Sequence, residues 1–568
     1  MDDFSLIDMM DANGLPLKNR VNKEGYYAGK NAGAADSLTV LESGESLIPT
    51  EPLKEGEQYR FHFDMSRCVG CQCCVVACNE QNNNPADVNW RRVGEIEGGV
   101  YPDAKRFHLS MACNHCLDPA CLTGCPTDAY EKDPVTGVVR HKAEECIGCQ
   151  YCTWNCPYGV PQYNPERRIV TKCDLCHVRL GDGMAPACVA ACPETAIRVE
   201  KVSIKEWREN HTQAEAPHMP ESTITLSTTR ITLPKNLPDG MLKLDRHHSE
   251  PEHPHYSLVF MTVLTQLAAG GFLALWLGDL FSNLFQFLKP LQEFLVFGDL
   301  GILAVTGIAL SASVFHLGRP LHAYKALRMW RRSWLSREVL FFTLFSFLGA
   351  GYAGALLVAH FLQFPVPAVW RALGGGGVAL FGMAGVFASA KIYLVPARPA
   401  WNTPLTPLRF FLTGFILGPL FSFLVYSFYT LTPAFTGDPL KAKGPVLAWL
   451  ALSSTAAFLQ LLMLVGRLFH LAEENSELHD SARLLVRRFK KLFLTRIGLL
   501  IFGSFVLPVI LFNVLTASRN VSGTILTVFA GICFLTALVG EFMGRYLFFV
   551  TVVPKNMPGS FFTNRGAH

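Results

Sequence analysis

The chain has 568 residues, more than one ordinary domain contains. Hydrophobic residues make up 50% of the chain and charged residues only 17%, whereas soluble proteins carry about 25% charged residues, so part of the chain is expected in a lipid bilayer. The net charge of +4 is small, and there is no basic run of the kind that tracks a nucleic-acid backbone, which excludes a nucleic-acid partner.

Residues 1–56 predict a flexible N-terminal extension. They are rich in Gly, Asn, Asp, Ser and Glu, and their few large apolar residues have no periodic order. The first residues read MDDFSLIDMMDANG, without a basic and apolar signal or a twin-arginine pair, so no export signal is expected. An arm that becomes ordered on a partner is the alternative to a solvated tail.

Cysteine is the most informative residue type, because 17 of the 18 cysteines lie between Cys68 and Cys192. Two groups have the spacing C-x2-C-x2-C-x3-C, one has C-x2-C-x4-C-x3-C, and one has C-x2-C-x11-C-x3-C. Cys73 and Cys533 stand outside these groups. The four groups are Cys68, Cys71, Cys74 and Cys78; Cys113, Cys116, Cys121 and Cys125; Cys146, Cys149, Cys152 and Cys156; and Cys173, Cys176, Cys188 and Cys192.

This spacing indicates iron–sulfur clusters. Three close cysteines can wrap one cubane, and a fourth cysteine followed by proline points to a neighbouring cluster. Structural zinc uses two CxxC knuckles separated by a longer gap, and a disulfide scaffold belongs to small secreted domains. Short alternating segments such as VTGVVRHKAE predict small hairpins between the groups. We therefore expect a bacterial ferredoxin-like α+β domain over residues 57–205.

The cysteine groups also resemble a known family. The runs CVGCQCCVVACNEQN, CNHCLDPACLTGCPTDAY and CIGCQYCTWNCPYGVPQYN are similar to the four-cluster subunit of dimethyl sulfoxide reductase-type molybdopterin oxidoreductases. The resemblance implies four [4Fe-4S] clusters in which the first group pairs with the fourth and the second with the third. The implied ligand sets are Cys68, Cys71, Cys74 and Cys192; Cys173, Cys176, Cys188 and Cys78; Cys113, Cys116, Cys121 and Cys156; and Cys146, Cys149, Cys152 and Cys125.

Residues 255–555 predict an all-α bundle of eight transmembrane helices, which makes the whole chain multidomain. Each apolar segment is near or above the roughly 20 residues that a helix needs to cross a bilayer. Residues 206–254 are expected to form a linker, and residues 556–568 a C-terminal tail. The predicted spans are 256–281, 293–315, 339–363, 372–395, 408–432, 445–470, 494–516 and 523–550.

The distribution of basic residues predicts which side of the membrane carries the cysteine-rich domain. The connections on that side contain 16 Lys and Arg, whereas the opposite loops contain 5, namely Lys289, Arg371, Lys441, Lys443 and Arg519. Positive loops stay in the cytoplasm. We therefore expect a multi-pass protein of the bacterial inner membrane with its clusters on the cytoplasmic side.

The membrane part resembles the anchor subunit of the same family, mainly in the segment SVFHLGRPLHAYKALRMWRRSWLSRE. The resemblance implies a site for menaquinone or ubiquinone at His316 and Glu338, and we add Arg319 and Arg337 as candidates for fixing a charge or a carbonyl. It also implies a separate molybdopterin (bis-MGD) catalytic subunit, which agrees with the lack of a recognisable catalytic motif in this chain. Polar residues that only anchor helix ends are the alternative.

Other interpretations of the membrane residues remain. Glu541, Arg545 and Tyr546 favour a structural ion pair within the bundle. Haem would need facing histidines; His316 and His470 are available, but the resembling anchors lack haem and none is expected.

Three functions fit these patterns. The leading one is electron transfer between the molybdenum subunit and quinone, with the loop charges favouring a quinone-reducing sulfite dehydrogenase type over a quinol-oxidising dimethyl sulfoxide reductase type. The alternatives are a redox-driven ion pump, which needs ionisable residues across the membrane, and a zinc-binding membrane scaffold.

Overall fold

The computed structural model describes residues 46–245, 249–282, 284–285, 288, 291–432, 443–472, 476–517 and 522–559. These residues divide into two units. The N-terminal unit lies within residues 1–248 and 555–568, and the helical unit lies within residues 249–554. Residues 1–45 of the predicted extension, residues 560–568 of the predicted tail, and the loop residues Lys289, Lys441 and Arg519 lie outside the described residues.

The N-terminal unit contains small sheets and short helices. β1 (Glu57–Asp64) pairs antiparallel with β8 (Ile197–Ser203) and parallel with β9 (Arg230–Thr232). A second sheet has β2 (Arg92–Gly98) between β3 (Lys105–Met111) and β10 (Leu242–Lys243). The two hairpins are β4 (Tyr130–Lys132) with β5 (Val139–His141) and β6 (Gln162–Asn164) with β7 (Ile169–Thr171). The helices are α1 (Cys73–Asn82), α2 (Ala120–Gly124), α3 (Tyr151–Asn155), α4 (His177–Gly181), α5 (Ala187–Ala190) and α6 (Ile204–Asn210).

The core of this unit lies against the first sheet. Phe61 and Phe63 of β1 and Ile197 and Val199 of β8 are buried in one cluster with several cysteines, as the alternation of a half-buried strand requires. Leu47 also lies in this core, and its carbonyl accepts a hydrogen bond of 3.0 Å from the amide of Val199. The end of the predicted extension therefore packs onto the unit.

The structure also shows that most of the segment predicted as a linker is folded into the N-terminal unit. Within residues 206–245, Trp207 is buried and its Nε1 donates to the carbonyl of Ser227 at 2.8 Å. Ile231 and Met241 join the core of the N-terminal unit. These single apolar anchors lie in a short helix, in a three-residue strand and just before β10, and they have no periodicity that a sequence pattern could reveal. Residues 246–248 of this segment lie outside the described residues.

The helical unit confirms the predicted fold class. Within the described residues, eight helices are long and apolar enough to span a membrane. The third begins at Trp334, earlier than predicted, so Glu338 lies inside it; the seventh contains a π-helical segment, Leu500–Val506. Spans 1 to 8 are Tyr256–Phe281, Phe294–Val314, Trp334–Phe361, Ala368–Ile392, Leu405–Tyr429, Gly444–Leu471, Lys490–Ala517 and Gly523–Val550.

Spans 1 and 5 form the centre of the helical unit, since most of each is buried. Glycines face each other where they meet, so that Gly270 lies against Gly414 and Gly271 against Gly418. A Cβ on Gly418 would collide with the backbone of span 1 at Gly270 and Gly271. Small residues at this crossing let the two backbones approach closely, as is common between membrane helices.

We predict that Gly418→Ala destabilises the helical unit, because the added methyl group meets backbone atoms that cannot rotate away. Overpacking of this kind costs about 1–3 kcal/mol. The midpoint of thermal unfolding in detergent should fall by several degrees. Gly351→Ala is the matched control, since nothing lies within 4 Å of the position of its Cβ. Equal unfolding midpoints for the two variants would contradict the close crossing.

Candidate functional site

One cavity in the N-terminal unit is lined by four cysteine thiols from two sequence groups. Cys113, Cys116 and Cys121 come from the second group and Cys156 from the third. The space between atoms amounts to about 370 Å³, and apolar side chains form most of the remaining wall. Residues far apart in sequence thus converge with the composition that a cubane cluster requires.

A second cavity combines the first and fourth groups in the same way. It is lined by Cys68, Cys71, Cys74 and Cys192 and has about 330 Å³ of space between atoms, part of it open to solvent. The Ser110 hydroxyl lies 3.3 Å from the Sγ of Cys74 on its wall. Both cavities contain three cysteines of one group and the last cysteine of another.

The remaining predicted ligands also meet across groups. Cys78 interacts electrostatically with the thiols of Cys188, Cys173 and Cys176. Cys125 interacts with the thiols of Cys149 and Cys152, which belong to the third group. The structure therefore brings thiols of the first and fourth groups together, and thiols of the second and third groups together.

Left-handed turns shape the loops that carry these thiols. Gly70 and Gln72 have φ angles of +71° and +61°, and Gly148 and Gln150 repeat this geometry with +70° and +60°. A Cβ on Gly70 would strike the ring of His108. Turns of this type point successive amides into a concave surface, where they favour negative charge. Such amide-to-sulfur hydrogen bonds join Gly148 to Cys146 at 3.4 Å, Leu175 to Cys173 at 3.5 Å, Ala129 to Cys125 at 3.3 Å and Ala196 to Cys192 at 3.3 Å.

Burial controls the protonation of the thiols. It raises the pKa of Cys74 to about 11, the pKa of Cys156 to about 11 and the pKa of Cys176 to about 12. Iron binds the thiolate form, so loading of these sites is expected to release protons.

Two buried cations lie between the cysteine sets. Arg91 is 1% exposed and interacts with the thiols of Cys188 and Cys74; its Nε and Nη2 have no hydrogen-bond partner. Lys172 is 3% exposed, and its Nζ lies 3.7 Å from the Sγ of Cys113 and 2.8 Å from the carbonyl of Cys173. Buried cations need negative partners. Thiolate-ligated clusters would supply that charge, so these residues fit the group.

Sequence reasoning missed a contribution from the segment predicted as a linker. Thr225 lines the first cavity, and its hydroxyl donates to the Sγ of Cys116 at 3.2 Å. No motif marks this threonine, because only the fold of residues 206–245 brings it to the cavity. Cys73 is exposed and Cys533 is buried in span 8, and neither lines the two cavities.

The predicted quinone residues lie at one end of spans 2 and 3. His316 follows span 2, and its Nδ1 is buried without a hydrogen-bond partner. Burial lowers the pKa of His316 to about 4, with a hydrogen bond to the backbone of Ser313 as the smaller opposing effect, so the ring is neutral near pH 7. Glu338 is 4% exposed, and its polar neighbour is the hydroxyl of Ser389 in span 4. No hydrogen bond or ion pair joins the described His316 and Glu338 to each other.

The two arginine candidates occupy the loop between spans 2 and 3 and the first turn of span 3. Arg337 donates to the carbonyls of Trp330 at 3.0 Å and Arg331 at 2.8 Å, and its guanidinium lies 4.3 Å from the ring centre of Trp334. These contacts give Arg337 a role in holding the adjoining loop. Arg319 is half-buried and begins a short 3₁₀ helix, Pro320–Leu327.

The ion pair suggested for span 8 has a different partner. Glu541 lies 3.9 Å from Nη2 of Arg496 in span 7, while Nη2 of Arg545 donates to Oε1 of Gln266 at 2.7 Å. The ring of Tyr546 stacks on that of Tyr256.

Family comparisons cover both units. The model of the DMSO reductase anchor subunit (DmsC) family matches residues 251–550, and the 4Fe-4S dicluster domain matches residues 104–202. The chain belongs to the DMSO reductase anchor subunit family. The resemblance of both parts to dimethyl sulfoxide reductase subunits is thereby confirmed.

Curated relatives match part of this anchor-family chain. One component of the anaerobic dimethyl sulfoxide reductase of Haemophilus influenzae is 40% identical over 179 residues, which are 30% of this chain and 86% of the relative. The corresponding component of the Escherichia coli reductase is 40% identical over 162 residues, 27% of this chain and 78% of the relative. A component of the sulfite dehydrogenase of Allochromatium vinosum is 36% identical over 155 residues, 24% of this chain and 65% of the relative.

The chain therefore joins an iron–sulfur electron-transfer module and a multi-pass membrane anchor in one polypeptide. Its relatives are subunits of oxidoreductases by name, which supports a redox role.

Proposed function

We propose that this chain passes electrons between a molybdenum catalytic subunit and membrane quinone through four [4Fe-4S] clusters. The observation that carries the proposal is the convergence of cysteines from different sequence groups on common cavities. A membrane unit of the DMSO reductase anchor family in the same chain supplies the second half of the pathway. The protein is proposed to lie in the bacterial inner membrane.

The sixteen grouped cysteines are the proposed ligands, in the four cross-paired sets. When bound, each cluster supplies a one-electron carrier. The chain's own contribution is to hold the thiolates, aim amides at the sulfurs and place Arg91 and Lys172 as buried counter-charges. The protein around each cavity limits the access of water, which keeps this electrostatic environment constant.

His316 and Glu338 are the proposed quinone residues. Quinone chemistry moves two protons with two electrons and needs titratable groups near the carbonyl oxygens. The neutral His316 ring can donate a hydrogen bond to a quinone oxygen, and the Glu338 carboxyl can exchange a proton. A carboxyl buried within span 3 with Ser389 as its polar neighbour favours a functional role over simple anchoring.

Substrate chemistry is proposed to belong to a separate molybdopterin (bis-MGD) subunit. The exposed side chains of Val69, Val76 and Val178 lie near the first and fourth cysteine groups in the sequence, and Cys71 is also exposed. Exposed apolar side chains beside the proposed clusters suit the docking of a partner subunit. The loop charges favour the sulfite-oxidising, quinone-reducing direction; the reductive direction, as in the dimethyl sulfoxide reductases, is the alternative.

Cys116→Ser should lower the iron content of the purified chain and remove one low-temperature EPR signal, because Cys116 lines the first cavity. Cys73→Ser is the matched control: this exposed cysteine is adjacent in sequence to Cys74 of the second cavity but does not line it. Unchanged iron in the Cys116 variant, or an equal loss in the Cys73 variant, would contradict the ligand assignment.

Replacing His316 with alanine, or Glu338 with glutamine, is expected to reduce quinone-linked turnover at least about a hundredfold, as for loss of a group in proton transfer. Turnover with a soluble artificial electron carrier and the EPR signals should not change. His360→Ala controls for loss of a histidine, since His360 is exposed at the opposite end of span 3. Normal quinone turnover in both variants would remove these residues from the mechanism.

The proposed cytoplasmic side of the clusters predicts the labelling of single introduced cysteines in intact cells. A membrane-impermeant maleimide should leave Lys235→Cys unlabelled, because this exposed position belongs to the N-terminal unit. Gln363→Cys, exposed between spans 3 and 4, should be labelled. The reverse pattern would place the clusters outside the cytoplasm.

A further inference from the structure

A cavity within the helical unit has an unusual charge. It lies among spans 5, 6, 7 and 8, has about 410 Å³ of space between atoms, part of it open to the surroundings, and is lined by Arg409, Arg467 and Arg496 together with Gln460. It shares no lining residue with the cysteine cavities, and neither His316 nor Glu338 lines it. Three guanidinium groups around one membrane cavity need an explanation, because isolated charges are costly to bury there.

Among the described residues, positive charge exceeds negative charge around this arginine cavity. Arg545 belongs to the same span as Glu541, with its guanidinium 3.7 Å from the ring centre of Phe410. Among the described residues, Glu541 is the one carboxylate that forms an ion pair with any of these four arginines, at 3.9 Å from Arg496. Glu541 also accepts hydrogen bonds from Thr413 at 2.5 Å and Gln460 at 3.2 Å. One partly committed carboxylate cannot balance four guanidinium groups.

Hydrogen-bond donors of buried arginines on the cavity wall indicate an anionic ligand. Arg496 is 2% exposed; its Nε has no hydrogen-bond partner, and its Nη2 lies 3.9 Å from Glu541 without a hydrogen bond. Arg409 is also buried, and its Nη2 donates to the carbonyl of Gly544 rather than to a carboxylate. A buried charged donor without a partner strongly destabilises a fold unless a ligand or ion compensates it.

The position and lining of the cavity define the class of ligand. Its residues lie towards the beginning of spans 5 and 7 and towards the end of spans 6 and 8, so the cavity lies nearer one end of the bundle. Phospholipid phosphates lie at the ends of membrane helices. Guanidinium groups bind phosphate through paired hydrogen bonds. Leu405, Met463, Leu464 and Phe548 supply an apolar wall beside the arginines, which suits a lipid better than a free ion.

We propose that the arginine cavity binds a phosphate group, supplied by the headgroup of an anionic phospholipid that remains bound as a structural ligand. The lipid balances the charge of the arginines and joins the ends of spans 5 to 8. Inorganic phosphate shares the recognised chemistry and is the other source of such a group.

The test measures thermal unfolding of the purified full chain in detergent after removal of bound lipid. Three additions are compared at matched ionic strength: phosphatidylglycerol, inorganic phosphate and sodium chloride. We expect phosphatidylglycerol to raise the unfolding midpoint in a saturable manner. Stabilisation by inorganic phosphate as well would support the phosphate site with a free ion as its source. No difference between the phosphate-containing additions and sodium chloride would overturn the proposal.

Two variants test whether the stabilising lipid binds in the arginine cavity. Arg467→Gln, which is only half-buried and so less disruptive to folding than a change at Arg496, should raise the lipid concentration for half-maximal stabilisation at least about tenfold. Arg487→Gln removes an exposed arginine from the helical unit and controls for general attraction of anionic lipid. Mass spectrometry of phospholipid retained per chain gives an independent readout. Equal lipid binding in the two variants would overturn the assignment to this cavity.

Discussion

The N-terminal unit depends on one constraint: four thiolates must converge on one small volume, and the negative charge so formed must be balanced in a dry interior. The regular structure around the cysteine groups offers little, because helices of four to ten residues and three-residue hairpin strands cannot hold such loops in place alone. Left-handed turns at Gly70 and Gly148 aim the amides. Cluster binding would then supply much of the folding energy, since metal binding is coupled to folding.

The buried cations connect this constraint to electron transfer. Lys172 lies between Cys113 and Cys173, and the thiols of these two cysteines also interact with each other. That contact joins a cysteine of the second group to a cysteine of the fourth, so the two proposed cluster pairs would be neighbours. Arg91 lies within the first pair, between Cys74 and Cys188. A cation between neighbouring anionic clusters reduces their repulsion and favours the reduced state of both.

The sequence predicted these features unevenly, for physical reasons. Cysteine spacing predicts the cluster ligands because a cubane imposes its geometry on a short loop, and hydropathy identifies the spans because a helix must be long enough to cross a bilayer. Thr225 and Trp207 could not be found, because each acts singly through the fold of a segment without periodicity. The sequence could not show whether basic residues at the ends of spans lie in loops or inside the helices. Arg409 and Arg496 look like cytoplasmic loop charges in the sequence, yet both are buried inside helices.

The buried arginines show where the membrane unit holds its charged groups. The close crossing at Gly270 and Gly414 leaves no room for side chains between spans 1 and 5 at that point. Charged groups instead lie towards the two ends of the bundle. The arginine cavity, His316 and Glu338 lie towards one end, and Asp279 forms an ion pair of 2.9 Å with Arg371 at the other.

Transmembrane proton transport would need ionisable side chains at intervals through that centre. The described part of spans 1 and 5 has a glycine-packed crossing there, and the nearby carboxylate of Glu541 is held by Thr413 and Gln460 on the side of the arginine cavity. Electron exchange with quinone at one end requires no such chain, because the quinone itself diffuses in the bilayer and protons can enter from the near surface. The packing at the centre of the unit therefore favours the quinone-linked redox role over the ion-pump alternative.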